Sequence, residues 1–240
     1  MVRVSAIVSA YKAELYIKAR LDNLLAQCEK PEIVVVCEDS SIEHKIAFEY
    51  PVKIVITEGI PSLPAAWNLG IKKAKGTYIT NANCDDELKP EALRKMADML
   101  DGSGASVFFS ETDIQYPGKD PAPWKRNLLP QGIVEDAFEK IAKRCTIGAM
   151  PMWKKSLHKQ HGYFDETRLY VADYDFWLRL AARGETFYYY PKSLGVYAHR
   201  DNSLEHANKQ AGILERKEVR KLHENWYKST QSQLYTASIG

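Results

Sequence analysis

Asp85 and Asp86 are adjacent carboxylates in the stretch Ile79-Thr-Asn-Ala-Asn-Cys-Asp-Asp-Glu-Leu88, directly after a short segment with the character of a buried strand. A hard divalent cation takes oxygen ligands and completes its shell with substrate phosphates. Neighbouring side chains in an extended turn point different ways, so one carboxylate can face a cation while the other faces a ribose or a supporting donor. The same pair also reads as turn chemistry, with Asp85 in the turn and Asp86 capping a helix that starts near Pro90. A second carboxylate pair, Asp173 and Asp175, opens a helical pattern in which Phe176, Trp177 and Leu180 face the core. A carboxylate there suits a general base that takes the proton from an attacking hydroxyl. It equally suits the positive end of a helix dipole.

These residues need elements to hold them. Residues 2–9 are short, β-branched and apolar, and Leu15, Ile17, Leu21, Leu24 and Leu25 then recur at helical intervals. Pro31 ends that helix, and residues 33–37 (IVVVC) form the continuous apolar run of a strand buried on both faces. A strand over 52–57, a helix over 65–75 with Gly76 as its C-terminal cap, and a strand over 78–80 follow. Pro90 suits the first turn of the next helix. Strands alternating with helices predict an α/β fold with a mostly parallel central sheet flanked by helices. Ligands of such sheets bind at the carboxyl ends of the strands, which directs attention to the loops after Ser9, Cys37 and Thr80.

The second half is less regular. Residues 107–110, 149–154 and 186–190 read as strands and 174–183 as a helix, while 116–130 has the proline-rich, polar character of a lid. The tail over 203–227 is helical and basic, with Ile213, Leu214, Leu222 and Trp226 as candidate buried positions. It packs on the domain, or rests on a membrane surface as a peripheral contact.

Composition narrows the function classes. With 33 basic and 31 acidic residues in 240, the net charge of +2 calls for no polyanionic partner, so nucleic-acid binding has no support. No stretch is long and apolar enough to span a membrane. The four cysteines, Cys28, Cys37, Cys84 and Cys145, match no zinc-ligand spacing and read as reduced thiols. With an N-terminus that lacks the pattern of a secretory signal, they predict a cytoplasmic chain. No GxGxxG follows any strand, which excludes a dinucleotide oxidoreductase.

Six segments occur in order: Val4-Ser-Ala-Ile-Val-Ser-Ala-Tyr-Lys12, Glu38-Asp-Ser-Ser41, the stretch from Trp67 through Gly76-Thr-Tyr-Ile79, Asn83-Cys-Asp-Asp86, Gly162-Tyr-Phe-Asp-Glu166, and Ala172-Asp-Tyr-Asp-Phe-Trp-Leu-Arg179. In that order and spacing the chain resembles the GT-A glycosyltransferases of family 2. The resemblance covers about residues 2–205. It implies a single GT-A domain over 1–205, with a nucleotide-binding half to about residue 100 and an acceptor half from about 101, and a C-terminal helical extension over 206–240.

It further implies inverting transfer from a nucleotide-sugar donor, UDP- or dTDP-linked, to a glycan, lipid-linked or other hydroxyl acceptor, with Mn2+ or Mg2+ as cofactor. Ser9, Ala10 and Tyr11 would line the base pocket, Asp39 would accept from the base, and Asn68 would contact the donor. Asp85, Asp86 and His199 would hold the metal, with Asn83 a helper that stands where the family's Asp-x-Asp-Asp form has its first aspartate. Asp173 corresponds to the catalytic base, although Ala172 replaces the family's preceding glutamate, and Arg200 is a candidate diphosphate contact. Gly148 and Trp153 would form the acceptor wall. Each has a plainer reading as well: Tyr11 and Trp153 as packed aromatics, Asp39 as a turn residue, Asn68 as a surface polar group, His199 as structural.

Two other readings stay open. Asn83 and Ala172 suit a degenerate scaffold of the same fold, but such a scaffold needs none of Asp85, Asp86 and Asp173. A sugar-phosphate nucleotidyltransferase would carry a Gly-rich basic loop after the first strand, where this chain has Ser-Ala-Tyr-Lys.

Overall fold

The computed structural model describes residues 2–124, 129–200 and 208–237. The first half alternates as expected: β1 (Val4–Ser9), α1 (Ile17–Leu25), β2 (Glu32–Glu38), α2 (Ile42–Phe48), β3 (Lys53–Thr57), α3 (Leu63–Lys73) and β4 (Tyr78–Asn81). The β-branched runs of β1 and β2 are buried almost throughout because helices cover both faces of the sheet. Helix α2, which hydropathy does not reveal, starts where the Ser41 hydroxyl accepts from His44 N–H at 3.0 Å.

The second half contributes β5 (Glu87–Leu88), α4 (Ala92–Ser103), β6 (Val107–Gln115), β7 (Ala122–Trp124), β8 (Gly132–Ile133), α5 (Ala137–Lys143), β9 (Met152–Lys154), α6 (Leu157–His161), α7 (Ala172–Ala182), β10 (Phe187–Ala198) and α8 (Lys209–Ala237). The sheet order is β3-β2-β1-β4-β9-β6-β10-β5. β1 pairs in parallel with β2 on one side and β4 on the other, so the winding reverses at β1. β9 runs antiparallel to both β4 and β6, so the central sheet is mixed, while the β3-β2-β1-β4 run and the β6–β10 pair are parallel as expected. A three-residue strand carries too short a pattern to announce its direction.

Several local expectations are corrected. α3 ends at Lys73 with extended Ala74 in the cap position, so Gly76 caps nothing. Gly76 instead lies against β1, where an added Cβ would stand 2.6 Å from Ser5 N and Oγ. Pro90 precedes α4, whose N-cap is Glu91. The expected lid is partly a hairpin, since β7 folds back on Thr112, Asp113 and Ile114 of β6; residues 125–128 lie outside the described residues, as do 201–207 of the tail.

Two apolar clusters cover the sheet. One gathers Trp153, Phe164, Phe176 and Trp177, and the other Leu21, Leu24, Leu93 and Met96. α8 closes the first cluster through Val219 and His223, which are buried, and through Tyr227, whose ring stacks on Phe138 at 4.2 Å. Ile213, Leu214, Leu222 and Trp226 are all exposed, because the packed face of α8 follows 219, 223 and 227 at four-residue spacing and includes polar side chains that an apolar count passes over. No helix among the described residues is long and apolar enough to cross a membrane.

Candidate active site at the carboxyl ends of β1 and β4

Where β1 ends, the ladder continues through Ala10 N–H to Val36 O at 2.9 Å. Tyr11 then reaches over the end of β2, its hydroxyl 2.8 Å from Thr57 Oγ1 on β3. Burial raises the Tyr11 pKa, so the ring stays a neutral phenol. Lys12 turns the chain in the left-handed region (φ 51°), and the buried Glu43 carboxylate of α2 accepts from Ala13 N–H at 2.7 Å. Glu43 thus secures the loop that carries Ser9, Ala10 and Tyr11, a role the sequence alone does not suggest. Asp39 is exposed, with Oδ1 3.3 Å from His44 Nδ1, just before the left-handed Ser40 (φ 57°).

The acidic turn begins where β4 ends beside β1. Ala82 N–H donates to Ile7 O at 2.8 Å, and the Cys84 thiol meets Ser9 O at 3.5 Å. Asp86 is buried and caps no helix. Its Oδ1 accepts Ala198 N–H from the end of β10 at 3.2 Å, and its Oδ2 accepts from Asn83 Nδ2 at 3.2 Å. Burial, reinforced by Asp85 and opposed by Arg20, pushes the Asp86 carboxyl up to about 7.

Asp85 meets Arg200. The guanidinium donates from Nε at 3.0 Å and from Nη2 to the same Oδ2, and it lies 4.3 Å over the Tyr16 ring. His199, one residue earlier, donates its backbone N–H to Gln115 O at 2.8 Å and packs its ring on Tyr116 at 4.7 Å. A second guanidinium stands behind the turn: Arg20 on α1 is 1% exposed, and its Nε and Nη2 have no partner among the described residues. Burial lowers its pKa, and Asp86 is the first of the charges that hold it up. Arg20 falls on the face of Ile17, Leu21 and Leu24, so a charge at an apolar position of the helical pattern was the signal available for it.

The donor set can be tested against a divalent cation. Carboxylate oxygen is the right chemistry. Three of the four carboxylate oxygens, however, are already engaged, Asp85 Oδ2 by Arg200 and both Asp86 oxygens by Ala198 and Asn83, which leaves Asp85 Oδ1, and no three His, Cys, Asp or Glu side chains among the described residues converge to hold an ion. The residues as arranged do not fit a resident metal.

Asp173 stands half-buried in the first turn of α7, with Oδ1 accepting Tyr174 N–H at 2.7 Å. The N-cap is Val171, without a side-chain bond. Asp175 is not a cap either: it is buried, paired with Arg179 at 2.7 Å and with His223 of α8 at 2.8 Å.

Two other expected site residues are structural. Asn68 is buried, donating to Phe164 O and Glu166 Oε1 at 2.9 Å and accepting from Phe164 N–H at 3.1 Å, so it fixes the segment before α7. Trp153 is fully buried and donates to Nε2 of His158 at 2.9 Å. Burial pushes the His158 pKa down to about 4, which keeps that acceptor neutral. Trp153 therefore belongs to the aromatic core rather than to an acceptor wall, and Gly148 is partly exposed in the loop before β9.

Known proteins carry the same frame. An uncharacterized glycosyltransferase of Haemophilus influenzae is 24% identical over 183 residues, covering 74% of this chain and 61% of that protein. The chain thus spans about six-tenths of the length of such relatives. Among solved structures, S. aureus TarS 1–349 in complex with UDP-GlcNAc superposes with a TM-score of 0.71 at 20% identity, over 84% of this chain and 60% of that one. The mannosyltransferase PcManGT of Pyrobaculum calidifontis, in complex with GDP-Man and Mn2+, gives 0.65 at 16%, over 97% and 64%. These likenesses establish the GT-A fold. Residues 5–162 match the profile of glycosyl transferase family 2, and the chain belongs to that family.

Proposed function

We propose that the chain transfers a sugar from a nucleotide-diphosphate sugar, UDP- or dTDP-linked, to an acceptor hydroxyl with inversion. The observation that carries this is the acidic turn at the point where the strand winding reverses, with the base-pocket residues Ser9 to Tyr11 on one side and the end of β10 on the other. In this reading Asp39, exposed after β2, accepts from the base.

Asp173 is the general base. The acceptor oxygen attacks the anomeric carbon from the face opposite the diphosphate, and its proton passes to the Asp173 carboxylate. The electron pair of the breaking carbon–oxygen bond leaves with the diphosphate, which gains one negative charge. That charge calls for a cation. The family resemblance offers Mn2+ or Mg2+ on Asp85, Asp86 and His199, and the Arg200 ion pair competes with it. The acceptor, a glycan, a lipid-linked sugar or another hydroxyl compound, meets the sugar on the side of Gly148 and the β6–β7 hairpin.

The test is thermal unfolding with a panel of nucleoside diphosphates, because selective binding to the native state raises its stability. UDP or dTDP should raise the midpoint. Asp173→Asn should keep that shift yet lose transfer by about 10²–10⁴-fold. A panel with no shift at all, or full activity in Asp173→Asn, refutes the assignment.

A further inference from the structure

Two carboxylates and two guanidiniums meet at the acidic turn, with Glu87 and Glu43 within electrostatic reach of it. Asp85 and Asp86 are the carboxylates, and Arg200 and Arg20 are the guanidiniums. Arg200 is fixed from two sides, by two N–H donors on Asp85 Oδ2 and by the Tyr16 face beneath it. Arg20 adds buried positive charge behind the turn, with two donors unsatisfied. Asn83, where a third carboxylate would raise the negative charge, instead gives its amide N–H to Asp86. A divalent cation is drawn to a site by negative charge, and both carboxylates of this turn already face a guanidinium or N–H donors. To take both oxygens of Asp85 it would have to displace the guanidinium bonded to Oδ2.

We infer that Arg200 itself is the cation opposite the leaving diphosphate, with Asp85 and Tyr16 as its positioning residues, so that transfer proceeds without a divalent metal. The inference rests on the nucleotide-sugar reading above. Guanidinium suits the task because its planar fork donates to two phosphate oxygens at once and stays protonated at any working pH. No proton moves in this step. The departing diphosphate accepts hydrogen bonds from Arg200 as its charge develops, and Asp85 and the Tyr16 ring keep the guanidinium in place.

Binding of UDP, dTDP and GDP to the full chain is measured by calorimetry in excess EDTA and again in MnCl2. One of them should bind in EDTA within a factor of a few of its affinity in MnCl2. Arg200→Ala should weaken EDTA binding about ten- to a hundredfold, the loss expected for hydrogen bonds to a charged acceptor. Mn2+ should restore part of it, because Asp85 is then released. Arg200→Lys, which keeps the charge without the fork and serves if the alanine variant does not fold, should fall between the two.

Nucleotide binding by the wild-type chain only in MnCl2 overturns the inference and leaves the transferase reading standing. So does unchanged EDTA binding in both variants. Binding of none of the three in either buffer overturns both.

Discussion

Replacing His223 by alanine removes one tie between α8 and the helix that carries Asp173, and its cost follows from the contacts. His223 Nε2 and Asp175 Oδ1 lie 2.8 Å apart, with side chains 8% and 7% exposed, and Asp175 Oδ2 binds Arg179 at 2.7 Å. His223→Ala removes one hydrogen bond to a charged acceptor while Arg179 still compensates Asp175, which costs about 1.5–3 kcal/mol. Asp175→Ala strips both partners at once and leaves the part-buried Arg179 guanidinium without its carboxylate, bonded only to His161 O, at up to about 3–5 kcal/mol. At roughly 2–4 °C per kcal/mol for a domain of this size, the two variants should melt about 3–12 °C and 6–20 °C below wild type.

Urea titrations of the two variants and of the double variant supply the coupling energy. The pH dependence is a second readout. Burial alone would raise the Asp175 carboxyl, but the His223 hydrogen bond and Arg179 outweigh it and hold the group below the usual carboxylate range. Its folded pKa lies below its unfolded one, so its stabilisation is present above about pH 4 and disappears as pH falls through the lower folded value. The gap between wild type and Asp175→Ala should therefore close in acid. A His223→Ala protein that melts with wild type, or one that costs as much as Asp175→Ala, refutes the account of a latch shared between His223 and Arg179.

Gly76→Ala places a Cβ 2.6 Å from the backbone nitrogen of Ser5, which cannot yield as a flexible side chain would, and should cost about 1–3 kcal/mol by urea unfolding; a neutral result shows that β1 and the β4 approach can part. Asp86→Asn tests the raised carboxyl. Because the folded group keeps its proton up to about 7 while the unfolded one releases it near 4, wild-type stability falls as pH rises between those values. The stability of Asp86→Asn relative to wild type should climb across that window, and parallel profiles would exclude a raised Asp86.

Much of the nucleotide half was legible in the chain because its signals are local. The apolar run at 33–37 is continuous, Tyr78-Ile-Thr80 has β character, and helix α1 repeats at helical spacing within nine residues. The turn holding Asp85 and Asp86 follows a buried strand, so its placement at a carboxyl end needed only the alternation of strands and helices. Asp173 in the first turn of α7 was legible for the same reason. Where the signal was a single polar residue, the environment decided its meaning: Asn68 and Trp153 have the chemistry of ligand contacts, and packing made both structural.

What the tertiary structure alone decided lies in contacts between distant segments. Arg200 meets Asp85 across 115 residues and His223 meets Asp175 across 48, and no periodicity records either. Whether His199 or Arg200 turns toward the acidic residues depends on how β10 ends against β6, and the direction of β9 depends on the strands it joins. Local hydropathy and turn chemistry determined the elements and the end of the sheet at which the site lies. The pairing of charges there was settled by folding, because an ion pair is a property of two positions brought together and neither residue carries it alone.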